Sequence, residues 1–408
     1  MPTPSAEQFR PSAEQESLAH ALEMARPRRR RDQKPVELTP DQDKLISDLI
    51  DRAKDAEKAG DKIKAIELYR QCQAELDRIK QEKKKAKEFE KIPENMREIV
   101  EQAQVSLEQG LNDRFQEFGS DLEFKISSPE IPENLTPEHL ELIAEVFGKE
   151  TFKPTILPKP EDLHNLDEEY QGVMYPKTQT EKDKEKGLVS YRPDWFDQAS
   201  DKDITKSEET WGEAYVRSIK QELNKIGNSL VLYETTQKPN YTDGKQHYGT
   251  TQGNSPEADP LLPIFQQAFG EGANRFNHSH DELQEKLIPL IKQKIQEKFQ
   301  EKGLSMPDPA LPSGGFEVIL APALAFNLDT TLFHPENSKT NTSEWTSTVL
   351  TDIDENDSGH RLFVGCSDDG GAADVNDNHR GNRWHNFWGA RLAVVFSKTW
   401  SFAPNTLI

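Results

Sequence analysis

Arg361-Leu362-Phe363-Val364-Gly365-Cys366-Ser367-Asp368-Asp369-Gly370-Gly371-Ala372-Ala373-Asp374-Val375-Asn376-Asp377-Asn378-His379-Arg380-Gly381-Asn382-Arg383-Trp384-His385-Asn386-Phe387-Trp388-Gly389-Ala390-Arg391-Leu392-Ala393-Val394-Val395-Phe396 is the stretch on which the fold turns. Two apolar runs, 361–364 and 391–396, read as strands. Between them, eleven of the 23 residues from Cys366 to Trp388 are Ser, Asp, Asn or His. A packed strand throughout is excluded, because each buried polar group would need a partner. The segment predicts an exposed, loop-rich surface held between two strands. Its aromatics stand beside Asn, Asp and His as in a paratope, rigid apolar anchors next to adaptable hydrogen-bonding neighbours. The candidate binding residues are Ser367, Asp368, Asp369, Asp374, Asn376, Asp377, Asn378, His379, Asn382, Trp384, His385, Asn386, Phe387 and Trp388. Trp384 reads equally well as scaffold beneath the loops, whereas Phe387 and Trp388 are expected at the surface.

Three anchors frame this segment: Ser343-Glu344-Trp345-Thr346-Ser347-Thr348, Arg361-Leu362-Phe363-Val364-Gly365 and Gly389-Ala390-Arg391-Leu392-Ala393. In order and spacing they resemble the C-type-lectin fold of the formylglycine-generating-enzyme (sulfatase-modifying-factor) type, over roughly residues 310–400. Ala390 departs from that pattern, in which Phe is usual, and implies a different core contact. The resemblance implies an α+β class: a C-type-lectin-like domain over 171–408, preceded by an α-helical N-terminal region. Trp345, Arg361, Gly365, Gly389 and Arg391 are its expected scaffold. Trp345 suits a core in which the indole N–H finds an acceptor, and Arg361 and Arg391 suit pairing with carboxylates such as Glu344. The 366–388 segment also resembles the variable region of target proteins of diversity-generating retroelements, in which adenines of asparagine codons are mutagenised. That resemblance implies a bacterial ligand-binding protein with a hypervariable surface. Two alternatives stay open: a catalytically inactive formylglycine-generating-enzyme-like domain, and a helical adaptor.

Upstream, residues 1–40 are polar and proline-dotted, with the basic run Arg26-Pro27-Arg28-Arg29-Arg30-Arg31, and read as a flexible tail. Thr39-Pro40 opens a helix, and 41–92 forms a helical hairpin around Gly60-Asp61 that resembles a single tetratricopeptide unit. Residues 93–170 read as helical segments from Met96 to Phe118 and from Thr136 to Phe147, then a linker marked by Pro154, Pro158 and Pro160. Helices are expected over 210–226 and 281–301, with strands at 229–234, 316–320 and 391–396.

A net charge of −21 argues against a general nucleic-acid binder. No stretch approaches the ~20 apolar residues of a membrane span. Cys72 and Cys366, far apart in sequence, suggest a reducing, cytoplasmic setting rather than a disulfide framework. The expected partner is therefore a macromolecule, most simply a protein, with helical self-association through the N-terminal half as a further route. No cofactor is expected. The thiol oxidation of the resembled enzyme needs a cysteine pair, and this domain holds Cys366 alone, so the chain reads as a non-enzyme. Asp352-Ile353-Asp354-Glu355-Asn356-Asp357-Ser358-Gly359 begins like a calcium loop but lacks Gly at its sixth place and has Phe363 at the twelfth, and so reads as an acidic turn. His278-Ser279-His280 reads as a polar helix start.

Overall fold

The Thr39 hydroxyl accepts from Gln42 N at 3.3 Å, and the Gln42 side chain returns to Thr39 N at 3.0 Å. This reciprocal cap starts helix α1 (Pro40–Lys58) where the sequence places it. Gly60, at φ +84°, then turns the chain into α2 (Lys62–Phe89), which Asp61 caps. Ile46, Leu49 and Ala53 of α1 meet Ala65, Leu68, Tyr69 and Cys72 of α2 in a core of their own. The computed structural model describes residues 38–148, 151–200, 209–242, 245–247, 259–305, 315–351, 357–382 and 388–397. They fall into two compact units that divide after Lys91, and the hairpin is the first.

The second unit is α+β, with helices around two antiparallel-rich sheets. Its elements begin with α3 (Arg97–Glu117), α4 (Pro137–Phe147) and strand β1 (Phe152–Leu157). Short helices α5 (Glu168–Met174) and α6 (Glu181–Lys186) follow. Helix α7 (Trp211–Ile226), with a Thr210/Glu213 capping box, leads into β2 (Ser229–Glu234). A two-stranded ribbon, β3 (Asn240–Thr242) and β4 (Lys245–His247), precedes α8 (Leu262–Phe269). The expected helix over 281–301 is subdivided: Ser279 caps a turn at His280–Glu282, a π turn spans Leu283–Leu287, and α9 (Ile288–Lys302) continues. Pro289 has no N–H for the α ladder, which accounts for the widened turn ahead of it. Then come β5 (Gly315–Leu320), α10 (Ala323–Leu332), β6 (Ser343–Thr351), β7 (Asp357–Val364), β8 (Val375–His379), β9 (Trp388–Ala390) and β10 (Leu392–Ser397).

The first sheet runs β1-β2-β10-β5, antiparallel at every step. Every residue of β2 and of β10 is buried, so both faces are covered, and unbroken apolar runs such as Leu230-Val231-Leu232-Tyr233 are what such strands require. The second sheet runs β8-β7-β6-β9, with β9 parallel to β6.

The expected linker at Pro154–Pro160 is not there. Pro154 sits inside β1, opposite Leu232, and Pro160 opens a 3-10 turn. Proline lacks a ladder donor but is tolerated on an edge strand, and β1 is an edge of its sheet. Residues 93–170 accordingly belong to the same unit as the C-terminal strands, and the boundary falls at Lys91 rather than near 170. A buried pair, Arg114 of α3 with Asp183 of α6, ties this helical segment in, and Arg114 also donates to Val173 O at 3.1 Å.

No helix among the described residues is long and apolar enough to cross a membrane.

Candidate functional site

Three strands of the second sheet carry one aromatic frame. Trp345 on β6 pairs with Phe363 on β7 and with Ala390 on β9, and Ser343 pairs with Trp388. Directly opposed residues share a face, so Trp345, Phe363 and Trp388 project together. Trp345 meets Trp388 edge-on at 5.2 Å between ring centroids, and Phe363 lies 4.3 Å from Trp388. Trp345 is fully buried and donates its indole N–H to His278 O at 3.0 Å. The expected surface position of Trp388 is corrected: it is 6 % exposed, because parallel pairing of β9 with β6 drives its ring into this cluster.

Behind the frame lies a buried charge network. Arg391 donates from Nε to Glu344 Oε2 at 2.6 Å, from Nη2 to Glu344 Oε1 at 3.1 Å, and from Nη1 to Glu234 O at 2.6 Å. Glu234 accepts in turn from Leu392 N at 3.0 Å and from Arg275 Nη2 at 2.9 Å, and Arg275 grips Asp259 through two bonds of 2.6 and 2.7 Å. The expected Glu344 pairing is made by Arg391. Arg361 instead donates to His360 O at 3.1 Å.

The polar segment splits into a floor and an edge. Ser367–Asp369 form a 3-10 turn with Asp368 and Asp369 exposed. Asp374, placed at the surface by its residue type, is 1 % exposed and accepts from Cys366 N at 2.9 Å. It is corrected to a floor residue: its carboxylate closes the turn from beneath, where no exposed side chain reaches. Burial pushes its carboxyl up to about 8, and Asp369 adds to the shift. Burial also pushes the Cys366 thiol up to about 11 and lowers Lys238 to about 8. The Lys238 ammonium serves the carbonyls of Thr342 and Gly365, the latter at φ +102°, which ties the loop base together.

Strand β8 is the outer edge of the sheet. Val375 is buried opposite Val364, while Asn376, Asp377 and Asn378 are half-buried and His379 is exposed. Asp377 Oδ2 meets His360 Nδ1 at 2.6 Å, and Asn382 Nδ2 donates to Asn378 Oδ1 at 2.6 Å across the following turn. Ser367, Asp368, Asp369, Asn376, Asp377, Asn378, His379 and Asn382 thus remain at or near the surface. Trp384, His385, Asn386 and Phe387 lie outside the described residues, as do 352–356 of the calcium-like turn.

Sequence reasoning missed Lys238, Glu234, Arg275 and Asp259, all buried. Glu234 was the legible one, a carboxylate ending the apolar run Leu230-Val231-Leu232-Tyr233. Among the described residues no group of three or more His, Cys, Asp or Glu side chains is placed to hold a metal. No family model, curated protein or solved structure matches this chain.

Proposed function

We propose that this chain is a ligand-binding protein whose C-terminal unit is of the C-type-lectin kind and whose partner docks on the β8 edge and the loops beside it. One observation carries the reading. Asn376, Asn378 and His379 reach solvent from a strand whose inward neighbours, Leu362, Phe363, Val364, Trp345 and Trp388, are all buried. Edge positions on such a frame accept substitution without loss of the core, as a diversified surface requires. The thiol of Cys366, buried and pushed up to about 11, is a poor nucleophile near neutral pH, which favours recognition over thiol chemistry. A protein partner fits best, since a chain of net charge −21 repels phosphate backbones.

The test has two parts. Sequencing around the gene should find a reverse transcriptase and a near-copy of the 366–391 coding stretch that differs at adenines; without them, diversification is withdrawn. A library randomised at Asn376, Asn378, His379 and Asn382 should fold in most members. Loss of folding in most members would make the edge structural and end the binding reading.

The hairpin supports a second reading as an adaptor, since Leu45 and Ile63 stand exposed on it at 46 % and 63 %. Deletion of residues 1–91 separates the two readings: retained partner binding favours the lectin-like edge, and lost binding favours the hairpin. A cut near residue 150 would also remove α3 and α4, which belong to the second unit.

A further inference from the structure

Helices α3 and α10 border two spaces: a cavity of about 190 Å³ beneath them and an open groove of about 630 Å³. Glu98, Glu101, Val105 and Asp113 line the groove from α3. Offsets of 3, 7 and 15 residues from Glu98 keep all four on one face of the helix, over about 22 Å. Leu332 and Phe333, at the end of α10, complete the apolar part. A Cβ at Gly110 would stand 3.2 Å from the Phe333 ring, so the glycine lets the ring lie against α3.

Val105 is 56 % exposed and Phe333 40 %, and they are the only large apolar side chains that the second unit leaves so exposed among its described residues. Single exposed apolar side chains are ordinary, but two in one groove with charged residues at its rim mark a contact surface. The charge at that rim has one sign. Glu98, Glu101 and Asp113 are exposed, and no lysine, arginine or histidine lines the groove. Glu98 and Asp113 accept only from neutral amides of the same helix, Gln102 at 3.2 Å and Gln109 at 2.7 Å. Both cations of α3 are turned elsewhere: Arg97 donates to Ile92 O at 3.2 Å, and Arg114 is buried with Asp183.

We propose that this groove docks a basic amphipathic helix of a protein partner, with lysine or arginine side chains on Glu98, Glu101 and Asp113 and one large apolar side chain between Val105 and Phe333. An apolar centre inside a charged rim is the usual anatomy of such a contact, and a helix laid in a groove reads it through side chains one turn apart. Charge complementarity sets the sign of the partner. A second copy presenting the same face would set carboxylates against carboxylates. The inference rests on α3 and α10 and does not depend on the β8 edge.

The experiment titrates the full chain into a fluorescently labelled alanine-based peptide of about 18 residues, with lysines in its end turns and one leucine at its centre, all strong helix formers. Anisotropy should show saturable binding that weakens with added salt. The same peptide with glutamate for lysine should not bind, and alanine for the leucine should weaken binding about fivefold or more. Glu101→Lys/Asp113→Lys should lower affinity about tenfold or more, and Val105→Ser about threefold or more. These three positions are exposed, so the fold stands in each variant. Glu141→Lys/Glu297→Lys changes net charge equally at exposed positions of α4 and α9, outside the groove, and should leave affinity within about twofold. Absence of saturable binding, an equal loss with Glu141→Lys/Glu297→Lys, or indifference to both Val105→Ser and the leucine would each overturn the proposal. So would sedimentation showing a dimer that Val105→Ser disperses, which would put a second copy in the groove.

Discussion

Replacing Glu344 with Gln removes one charge from a fully buried ion pair of the C-terminal unit, the one with Arg391, and leaves shape almost unchanged. Arg391 is fully buried and Glu344 1 % exposed, so the guanidinium has no water to turn to. Of its three side-chain hydrogen bonds among the described residues, two go to Glu344 and one to the Glu234 carbonyl. The amide oxygen of Gln can still accept one of the two, and the other guanidinium N–H then faces an amide NH₂. Breaking one side of a buried pair costs about 3–5 kcal/mol, and the surviving bond puts Glu344→Gln near the lower end, about 3 kcal/mol. That is a large share of the about 5–15 kcal/mol by which domains are stable. Urea unfolding followed by tryptophan fluorescence is the assay, because all six tryptophans lie beyond Lys91 and the hairpin is silent. The transition midpoint should fall with an unchanged slope. The double variant Glu344→Leu/Arg391→Met should lose less than either single one, since it buries no lone charge. A loss under about 1 kcal/mol for Glu344→Gln, or strict additivity in the double variant, would refute the assignment of this pair as the keystone between the sheets.

Gly365→Ala should destabilise by more than about 2 kcal/mol in the same assay, since an L side chain at a positive φ is strained; here φ is +102° and a Cβ would sit 2.6 Å from both Lys238 Nζ and Phe326 Cζ. Trp388→Ala should cost about 3–5 kcal/mol as a core truncation, whereas Asn378→Ala and His379→Ala should each stay within about 1 kcal/mol; equal costs would return Trp388 to the surface. Asp374 binds its proton more tightly folded than unfolded, with a carboxyl pushed up to about 8. Between pH 4 and 8 the folded chain therefore holds a proton that the unfolded chain has released. Its contribution to stability falls as pH rises, by at most about 1.4 kcal/mol per unit. Asp374→Asn should flatten that part of the stability profile, and an unchanged profile would show that Asp374 is ionised in the fold.

Where a residue's neighbours in sequence are also its neighbours in space, the sequence was readable. Thr39-Pro40 announces a helix start through a bond spanning three residues, and the helix begins there as expected; Thr210 with Glu213 and Ser279 with Glu282 form the same kind of cap within a residue or two of where helices were expected. The strand Ser229–Glu234 was legible from its apolar run alone. Pro154 misled because its meaning depends on whether the strand is an edge, and that is decided by residues far along the chain at 229–234. Trp388 and Asp374 misled for the same reason. Local composition made the whole of 366–388 look like surface, yet pairing with Ser343 buries one and closure onto Cys366 N buries the other. The cavity beneath α3 and α10 had no local signature, because Leu107, Tyr233 and Asp329 meet only in the tertiary fold.

The division between frame and edge follows from strand order rather than from composition: β8 lies outermost in its sheet, next to β7, and the frame is carried by β7, β6 and β9. Val364 pins Val375, and that one apolar pair fixes the register by which Asn376 stands opposite Phe363 and Asn378 opposite Arg361. Asp377 and His379 then fall on the other face, where Asp377 takes His360 at 2.6 Å. A slip of one residue would exchange these faces and bury asparagines without partners, so Val375 has to stay apolar for its neighbours to be free to vary. An outermost strand of Asn, Asp and His also discourages sheet-to-sheet pairing between copies, which an apolar edge would invite.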